Sequence, residues 1–389
     1  MSEIMQYLGT LVHAQLENKK SEEIPKGIQI DELVEIAHRN QMDYLILEAL
    51  LKSNITEDKK AYIKPFVMQS LIKSSVQINC LRELEERFET EGIYHQVLKG
   101  AVLKKIYPVP EMRDMSDIDV MIYDINLNRA KKVVEEMGFS LYKSVKHHDI
   151  YIKDPLLIIE LHHELYDKDV DKTQYEYFKK EKHRITKEGK NYALQFSTED
   201  FYVYLIAHMA KHFYETGCGI RNVVDVYLYR QRYEATWKEK MMAEELDKCG
   251  LAAFENRIHT LGQVWLGECE PDLFSGMLFS YMIDCGIYGK GEYGIWGKFA
   301  MLNKKSSYGN RTYTKWWYYL PPKQYLESDY PWLKQYPFLL VFAWGIRAVH
   351  GLFSKDGREK REMILNMKSE DISTIYDIYK EMQLEFKID

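Results

Sequence analysis

Cysteine is scarce in this chain and badly placed for cross-linking. Five residues, Cys80, Cys218, Cys249, Cys269 and Cys285, are scattered through 389 positions, and none forms a C-x-x-C pair. An odd, scattered set provides neither a disulfide framework nor a structural zinc site, and it fits reduced thiols in a cytoplasmic protein. Basic charge is also short. Lysine and arginine number 53 against 59 aspartates and glutamates, a formal net charge of −6. The chain as a whole therefore lacks the positive field that draws nucleic acid. No basic n-region followed by an apolar run opens the sequence, so no signal peptide is expected. Nor is there a long hydrophobic run. The most apolar stretch, Tyr336 to Phe353, is interrupted by Arg347 and His350 and falls short of the roughly 20 residues a membrane span needs. It reads as a buried helix. The following Lys355, Arg358, Lys360 and Arg361 make a helix lying on a membrane surface the alternative. No internal repeat or low-complexity tract is present.

What is there is an ordinary globular balance, 46% hydrophobic and 29% charged, enough for a sizeable core in two or three domains. Apolar residues recur at helical spacing from Ile30 to Leu51, and a second long helical pattern runs from about Asp58 to Glu89, with Pro65 expected to kink or start it and Gly92 to end it. The pattern then changes. Ile93 to Leu98 reads as a strand, Ala101 to Tyr107 as a short helix, Ser116 to Ile122 as a strand, and Leu127 to Met137 as a helix stopped at Gly138. Phe139 to Ser144 with Asp149 to Lys153 read as a hairpin, and Leu156 to His162 as a further strand. From Ser197 the helical period returns and lasts to about residue 287, before a glycine- and aromatic-rich stretch and the final helices. This order predicts an α+β protein. A small mixed sheet in residues 91–190 lies between an N-terminal helical region, 1–90, and a mostly helical C-terminal region, 191–389.

The chemistry is concentrated in Met115-Ser116-Asp117-Ile118-Asp119-Val120-Met121-Ile122. Two aspartates at i and i+2 on a strand share a face. Carboxylates that close repel each other unless a cation sits between them, and hard oxygen ligands favour magnesium or manganese. A D-x-D pair alone is often only a solvated strand face. About forty residues on, Leu157-Ile158-Ile159-Glu160-Leu161 places an acid in the middle of an apolar strand, where burial is costly unless the carboxylate is paired or binds a metal. Asp149 and Glu164 compete for the role of third acid. Before the pair, Val97-Leu98-Lys99-Gly100 ends a strand and opens a helix. There a glycine lets backbone approach a phosphate, the helix N-terminus offers unpaired N–H groups, and Lys99 adds a point charge. The plain reading of that element is an ordinary tight turn.

Taken in order, a glycine turn and helix, a D-x-D strand and a third acid on a later strand resemble the polymerase-β-like nucleotidyltransferase superfamily. Leu98-Lys99-Gly100, Arg113, Ser116-Asp117-Ile118-Asp119 and Glu160-Leu161-His162 are more closely similar to an uncharacterised nucleotidyltransferase-like family of bacteria. The K-G and R-x-S-D-x-D pieces are also similar to nucleotidyltransferase toxins, although Arg113 stands one residue further from the acids. Downstream, His208-x-x-Lys211-His212, Gly219-x-Arg221 and Asp225 look like the helical region that follows the catalytic unit. One departure is Gly100-Ala101, where many members have Gly-Ser or Gly-Gly.

The resemblance implies a two-metal transfer of a nucleoside monophosphate from a nucleoside triphosphate, ATP being a guess, to an acceptor hydroxyl. Asp117, Asp119 and Glu160 would be both the catalytic residues and the ligands of magnesium or manganese. Lys99, Gly100, Arg113, Ser116 and Lys211 would bind the nucleotide, and His162, His208 and His212 would contact substrate. A small-molecule acceptor fits the acidic charge. A toxin-like enzyme acting on tRNA or protein, and an inactive nucleotide-binding protein, are the alternatives.

Other residues carry plainer readings. His208 and His212 are spaced i, i+4 as zinc ligands can be, but without a third ligand they read as core or interdomain histidines. Lys211 is equally an exposed helix charge, and His162 equally a hydrogen-bonded core histidine. Arg221 and Asp225 are spaced for a helical ion pair. Asp114 reads as a solvated loop acid, His147-His148 as surface, and the aromatic run Tyr313, Trp316, Trp317, Tyr318 and Tyr319 as helix packing.

Overall fold

A computed structural model of the chain describes residues 2–123, 126–145, 147–166, 172–180, 183–267, 269–290, 319–327, 330–353 and 369–384. Tyr313 to Tyr318 of the aromatic run, and Lys355, Arg358, Lys360 and Arg361, lie outside the described residues. The chain divides into two compact units. One comprises residues 1–210 and 218–287, the other residues 211–217 and 288–389.

The first unit opens with α1 (Glu3–Leu16), α2 (Ile30–Arg39), a π-helical turn (Asp43–Leu47), α3 (Glu48–Leu51) and the long α4 (Glu57–Thr90). Thr56 caps α4 by accepting from the Lys59 amide, and Glu57 and Asp58 place negative charge in its first turn. Pro65 lies inside α4 and does not start it. Next come β1 (His95–Val97), α5 (Lys99–Leu103), β2 (Ile118–Ile122), α6 (Leu127–Glu136), β3 (Ser140–Val145), β4 (His148–Lys153), β5 (Leu157–His162), α7 (Lys172–Phe178), β6 (Ile185–Thr186) and β7 (Ala193–Gln195). Gly92 and Gly138, after α4 and α6, adopt φ of 64° and 85°, the left-handed conformation that ends helices.

The strands form one seven-stranded mixed sheet in the order β3-β4-β5-β2-β1-β7-β6. β2 runs parallel to β5 and antiparallel to β1, and β4 runs antiparallel to both β3 and β5. The strand period of two decides what each face carries. Ile118, Val120 and Ile122 of β2 with Ile159 and Leu161 of β5 pack on Cys80, Leu84 and Phe88 of α4 and on Ala130, Val133 and Val134 of α6. The intervening positions, Asp119 and Glu160 among them, are therefore on the opposite face.

Helices α8 (Thr198–Thr216), α9 (Arg221–Tyr233), α10 (Glu239–Lys248), α11 (Ala252–Leu266) and α12 (Leu273–Cys285) follow. Arg230 of α9 donates to Glu255 of α11 at 2.5 Å. The N-terminus returns to this layer, since Trp265 Nε1 donates to the Met5 carbonyl at 3.0 Å. The architecture is α+β, a mixed sheet with helical flanks.

The described part of the second unit holds α13 (Lys323–Leu326), α14 (Leu340–Phe353) and α15 (Ser369–Glu381). Leu326, Leu333 and Ala343 are its buried cluster, with Trp332 and Trp344 packed against them. Tyr379 of α15 donates to the Phe213 carbonyl at 2.7 Å. The apolar stretch expected to be a buried helix is helical but not buried. Val341, Phe342, Ile346 and Val349 are all exposed while Ala343 is covered, because only the side of α14 that carries Leu340, Ala343 and Trp344 meets the cluster. Among the described residues, no helix is long and apolar enough to cross a membrane.

Candidate active site

Strand register assembles the site. Asp119 of β2 is the Cα partner of Glu160 of β5, and Met121 is the partner of His162. On the other side of β5, His162 pairs with His148 of β4, and Glu160 pairs with Ile150. Asp119, Glu160, His162 and His148 therefore stand together on the face turned away from the core of α4 and α6. Asp117 immediately precedes β2 and lies within electrostatic reach of Asp119, Glu160, Lys99 and His162.

The acids are held by cations and by imidazole. Lys99 Nζ lies 2.6 Å from Asp119 Oδ1, and His162 Nε2 lies 2.8 Å from the same oxygen. His162 Nε2 is also 3.3 Å from Glu160 Oε2. The two carboxylates offer that ring nitrogen only acceptors, so the contacts are hydrogen bonds in the tautomer with N–H at Nε2. His148 Nε2 sits 3.7 Å from Glu160 Oε1, and its ring lies 4.9 Å from that of His162.

The charges tune one another. Burial, followed by the Asp119 carboxylate, pushes Asp117 up to about 7. Burial acts the same way on Asp119, but Lys99 and His162 outweigh it and hold that carboxyl far below the usual range. Burial also opposes charge on Lys99, and the neighbouring Asp119 reverses it, so the ammonium is held more strongly than in water. Lys99 takes φ 43°, left-handed backbone that a residue with a Cβ enters at a cost of about 1–2 kcal/mol. The strain falls on the lysine of the K-G pair, and its ammonium ends on Asp119.

The loop that leads into β2 is tied down on every side. Arg113 Nη2 donates to Asp225 Oδ2 at 2.9 Å and its Nε to Oδ1 at 3.2 Å, and Tyr107 adds its hydroxyl to Oδ1 at 2.8 Å. This overturns the expected helical pair of Arg221 with Asp225. Asp225 is taken by Arg113, and Arg221 Nη1 instead donates to Gln41 Oε1 at 2.6 Å and to the Asp114 carbonyl at 2.9 Å. Gln41 passes the connection on, donating to Ser116 Oγ at 2.7 Å. Gln77 of α4 donates to the Met115 carbonyl at 3.0 Å. Asp114, expected to be solvated, accepts from the Ser70 hydroxyl of α4. Arg113 is only 5% exposed, and its guanidinium pairs with Asp225.

Gly100 gains a different explanation from the one its sequence context suggested. A Cβ there would stand 2.5 Å from Arg113 Nη1 and 3.0 Å from Met115 Cγ. The missing side chain makes room for the buried guanidinium.

The two competing acids are set aside by geometry. Asp149 pairs with Leu161 in register, and its carboxylate meets Lys131 at 2.8 Å and the Ser144 hydroxyl. Glu164 lies past β5 and lines a separate cavity of about 230 Å³ with Tyr123, Tyr166, Lys179 and Arg184. His208 lies on α8 with its ring 6.0 Å from that of Tyr204. Lys211 and His212 fall in the second unit.

Three residues join the site that sequence reading did not select. His148 is one, and its supposed surface position is corrected by the β4–β5 register. Tyr204 of α8 is the second. Burial lifts its phenol well above the ordinary value, with Lys99 pulling the other way. Lys73 of α4 is the third, its ammonium lowered by burial and supported by Asp114 and Asp117. Only Tyr204 gave a signal, by sharing a helical face with His208.

A mixed sheet that carries a D-x-D strand beside a parallel strand with a third acid, flanked by helices, is the architecture of a nucleotidyltransferase core. Residues 26–267 match the family described as uncharacterised nucleotidyltransferase. That is well over half of the chain, and the chain belongs to this family. No curated protein and no solved structure matches it.

Proposed function

We propose that this protein moves a nucleoside monophosphate from a nucleoside triphosphate, ATP being the first donor to test, to an acceptor hydroxyl. The observation that carries the reading is the pairing of Asp119 with Glu160 on one face of parallel strands, with Asp117 two residues upstream. The donor set fits divalent cations. Three carboxylates converge with one lysine as counter-charge, and Asp117 at about 7 is the mark of an acid short of positive charge. Oxygen ligands of this kind suit magnesium or manganese. Asp117, Asp119 and Glu160 would hold two such ions, which when bound offset charge on the transferring phosphoryl group and sharpen the acceptor hydroxyl as a nucleophile.

The chain's own residues do the rest. Lys99, fixed on Asp119, keeps that carboxylate ionised and brings an ammonium next to the acids. His162 spans Asp119 and Glu160 and sets their separation. Lys73, within reach of Asp117, supplies a second cation for the phosphates, and Tyr204 borders Lys99 from α8. Ser116 is held by Gln41 at the entrance to the D-x-D strand. His208, in the same unit as the acids, keeps the proposed contact with the acceptor. The net charge of −6 supports a small-molecule acceptor over tRNA, and five free cysteines support a reducing cytoplasmic location.

A second reading, a nucleotide-binding protein without transfer activity, draws on one feature. Asp119 Oδ1 already meets Lys99 and His162, an arrangement that is satisfied without metal. Thermal-shift titration with each nucleoside triphosphate, with and without magnesium, is the deciding measurement, run beside pyrophosphate release with a panel of small-molecule, tRNA and protein acceptors. A magnesium-dependent rise in melting temperature that disappears in Asp117→Ala/Asp119→Ala supports nucleotide at the carboxylates. Binding without pyrophosphate release across the panel favours the second reading, and no shift with any triphosphate rejects both.

A further inference from the structure

The face that carries the acids holds a second donor set, of different chemistry. His148, Glu160 and His162 each offer a ligand atom, and these atoms all lie within 4.8 Å of one another. The grouping follows from backbone, since His148 and His162 are register partners on β4 and β5 and Glu160 is two residues before His162 on the same face. We propose that these three residues bind a transition-metal dication such as manganese, cobalt or zinc through two nitrogens and a carboxylate, at a position distinct from the all-oxygen pair Asp117 and Asp119.

Geometry carries the assignment. Two ligand atoms each about 2.1 Å from a shared ion stand about 3.4 Å apart in tetrahedral coordination. Glu160 Oε2 stands 3.3 Å from His162 Nε2, and its other oxygen, Oε1, stands 3.7 Å from His148 Nε2, so each imidazole faces one oxygen of the carboxylate. The longer separation is beyond hydrogen-bond range, so the carboxylate does not satisfy that nitrogen. The other ring nitrogen of His148, Nδ1, is buried and meets no hydrogen-bond partner. A half-buried histidine with neither nitrogen properly partnered, aimed at a carboxylate and a second imidazole, is an incomplete coordination shell.

Coordination by His162 Nε2 needs its lone pair, so the ring proton moves to Nδ1. That tautomer change leaves the ring's charge unaltered, and Asp119 keeps Lys99. Magnesium is a poor match for this donor set, because it demands octahedral oxygen ligands and retains its waters, whereas imidazole suits the later first-row metals.

The assignment shares Glu160 with the catalytic reading and rests on it in that respect. The experiment uses the full chain stripped of metal with a chelator, titrated with cobalt(II) and followed by visible absorption, and with manganese(II) followed by electron spin resonance for coupling to nitrogen. Wild type is expected to take up one cobalt with nitrogen-ligand bands that persist in excess magnesium. His148→Ala and His148→Phe should each weaken cobalt at least about tenfold, the lower end of what loss of even an outer partner costs. The Phe variant preserves the ring contact with His162, and circular dichroism confirms that both variants are folded. Asp117→Asn should leave the cobalt spectrum in place. Cobalt affinity unchanged in both His148 variants, or cobalt displaced by equimolar magnesium, overturns the site. Absence of cobalt uptake beside intact Asp117-dependent nucleotide binding sinks this site alone. Cobalt uptake that depends on His148, with no nucleotide binding, upholds the site and sinks the transferase reading instead.

Discussion

Arg113 and Asp225, far apart in sequence, form a two-point ion pair with side chains 6% and 0% exposed. The pair fastens the loop before the D-x-D strand to α9. Removing one partner strands a charge in the interior, so Arg113→Ala and Asp225→Ala are each expected to lower unfolding free energy by about 3–5 kcal/mol. Lysine lacks the planar fork and should rescue poorly. Urea denaturation of the two single variants and the double variant measures this. If Arg113 is instead a phosphate ligand, its loss will weaken triphosphate binding while stability stays put.

Gly100→Ala follows from the same pair. The added methyl must push against a guanidinium that Asp225 holds in place, and overpacking of that kind costs about 1–3 kcal/mol. Arg113→Ala should remove most of that penalty, giving a strongly non-additive double-mutant cycle. Equal cost in both backgrounds would show that the tight contact is not with Arg113.

The pH dependence of the metal-free protein should carry the signature of Asp117. Its folded value, about 7, lies above the ordinary aspartate value of 3.8. Between those limits the folded state binds more protons than the unfolded state, so this residue's contribution falls as pH rises from about 4 to 7. Asp43, pushed up to about 6 by burial and Asp114, slopes the same way, so the informative quantity is the difference between wild type and Asp117→Asn. That difference should grow toward neutral pH and shrink when magnesium is added. A flat difference across the range would remove the crowding of acids from the argument.

Asp119 and Asp117 should behave oppositely. Asp119→Ala leaves the partly buried Lys99 ammonium without its partner and is expected to destabilise the fold by about 1–3 kcal/mol. Asp117→Asn relieves repulsion and should raise the melting temperature without metal. Both should lose magnesium-dependent triphosphate binding. Thermal melts of the two variants, with and without magnesium and nucleotide, separate the effects.

Lys104 offers a check away from the acids. It is buried, with Nζ donating to Ser74 Oγ and to the Pro110 and Arg113 carbonyls, and burial followed by Arg113 pushes it down to about 8. Between pH 8 and its ordinary 10.5 the unfolded state holds the extra proton, so stability gains from this residue as pH rises. Lys104→Met should abolish that gain and, by leaving carbonyls unpaired, cost about 1–3 kcal/mol at neutral pH. Melts across that window, compared with wild type, test both.

Much of the sheet was legible because strand alternation and helix-capping glycines are local signals. The D-x-D pair and Glu160 in the middle of its apolar strand were visible for the same reason. What was not legible is pairing at a distance. Arg221 and Asp225 satisfy a short-range spacing rule, and nothing local reveals that Asp225 belongs to Arg113 instead. His148 looks like a surface residue until the β4–β5 register sets it opposite His162. Gly100 advertised a phosphate turn, yet its tightest neighbour is a side chain thirteen residues on. The return of α1 to α11 through Trp265 likewise has no sequence signature. The apolar stretch of α14 spells burial, but hydropathy does not say how many sides of a helix find a partner.

The ladder between β2 and β5 separates two kinds of change that the site could undergo. Asp119 meets Glu160 through strand register, and the residues between them, α6 and the β3–β4 hairpin, only have to bring β5 back alongside. Extra residues in the turn between β3 and β4 would lengthen the chain and leave the carboxylates where they are. Deleting one residue inside β5 ahead of Glu160 would alter the chain far less and yet turn that acid into the hydrophobic layer beneath. The tolerance of this enzyme fold to change is thus a matter of phase, not length.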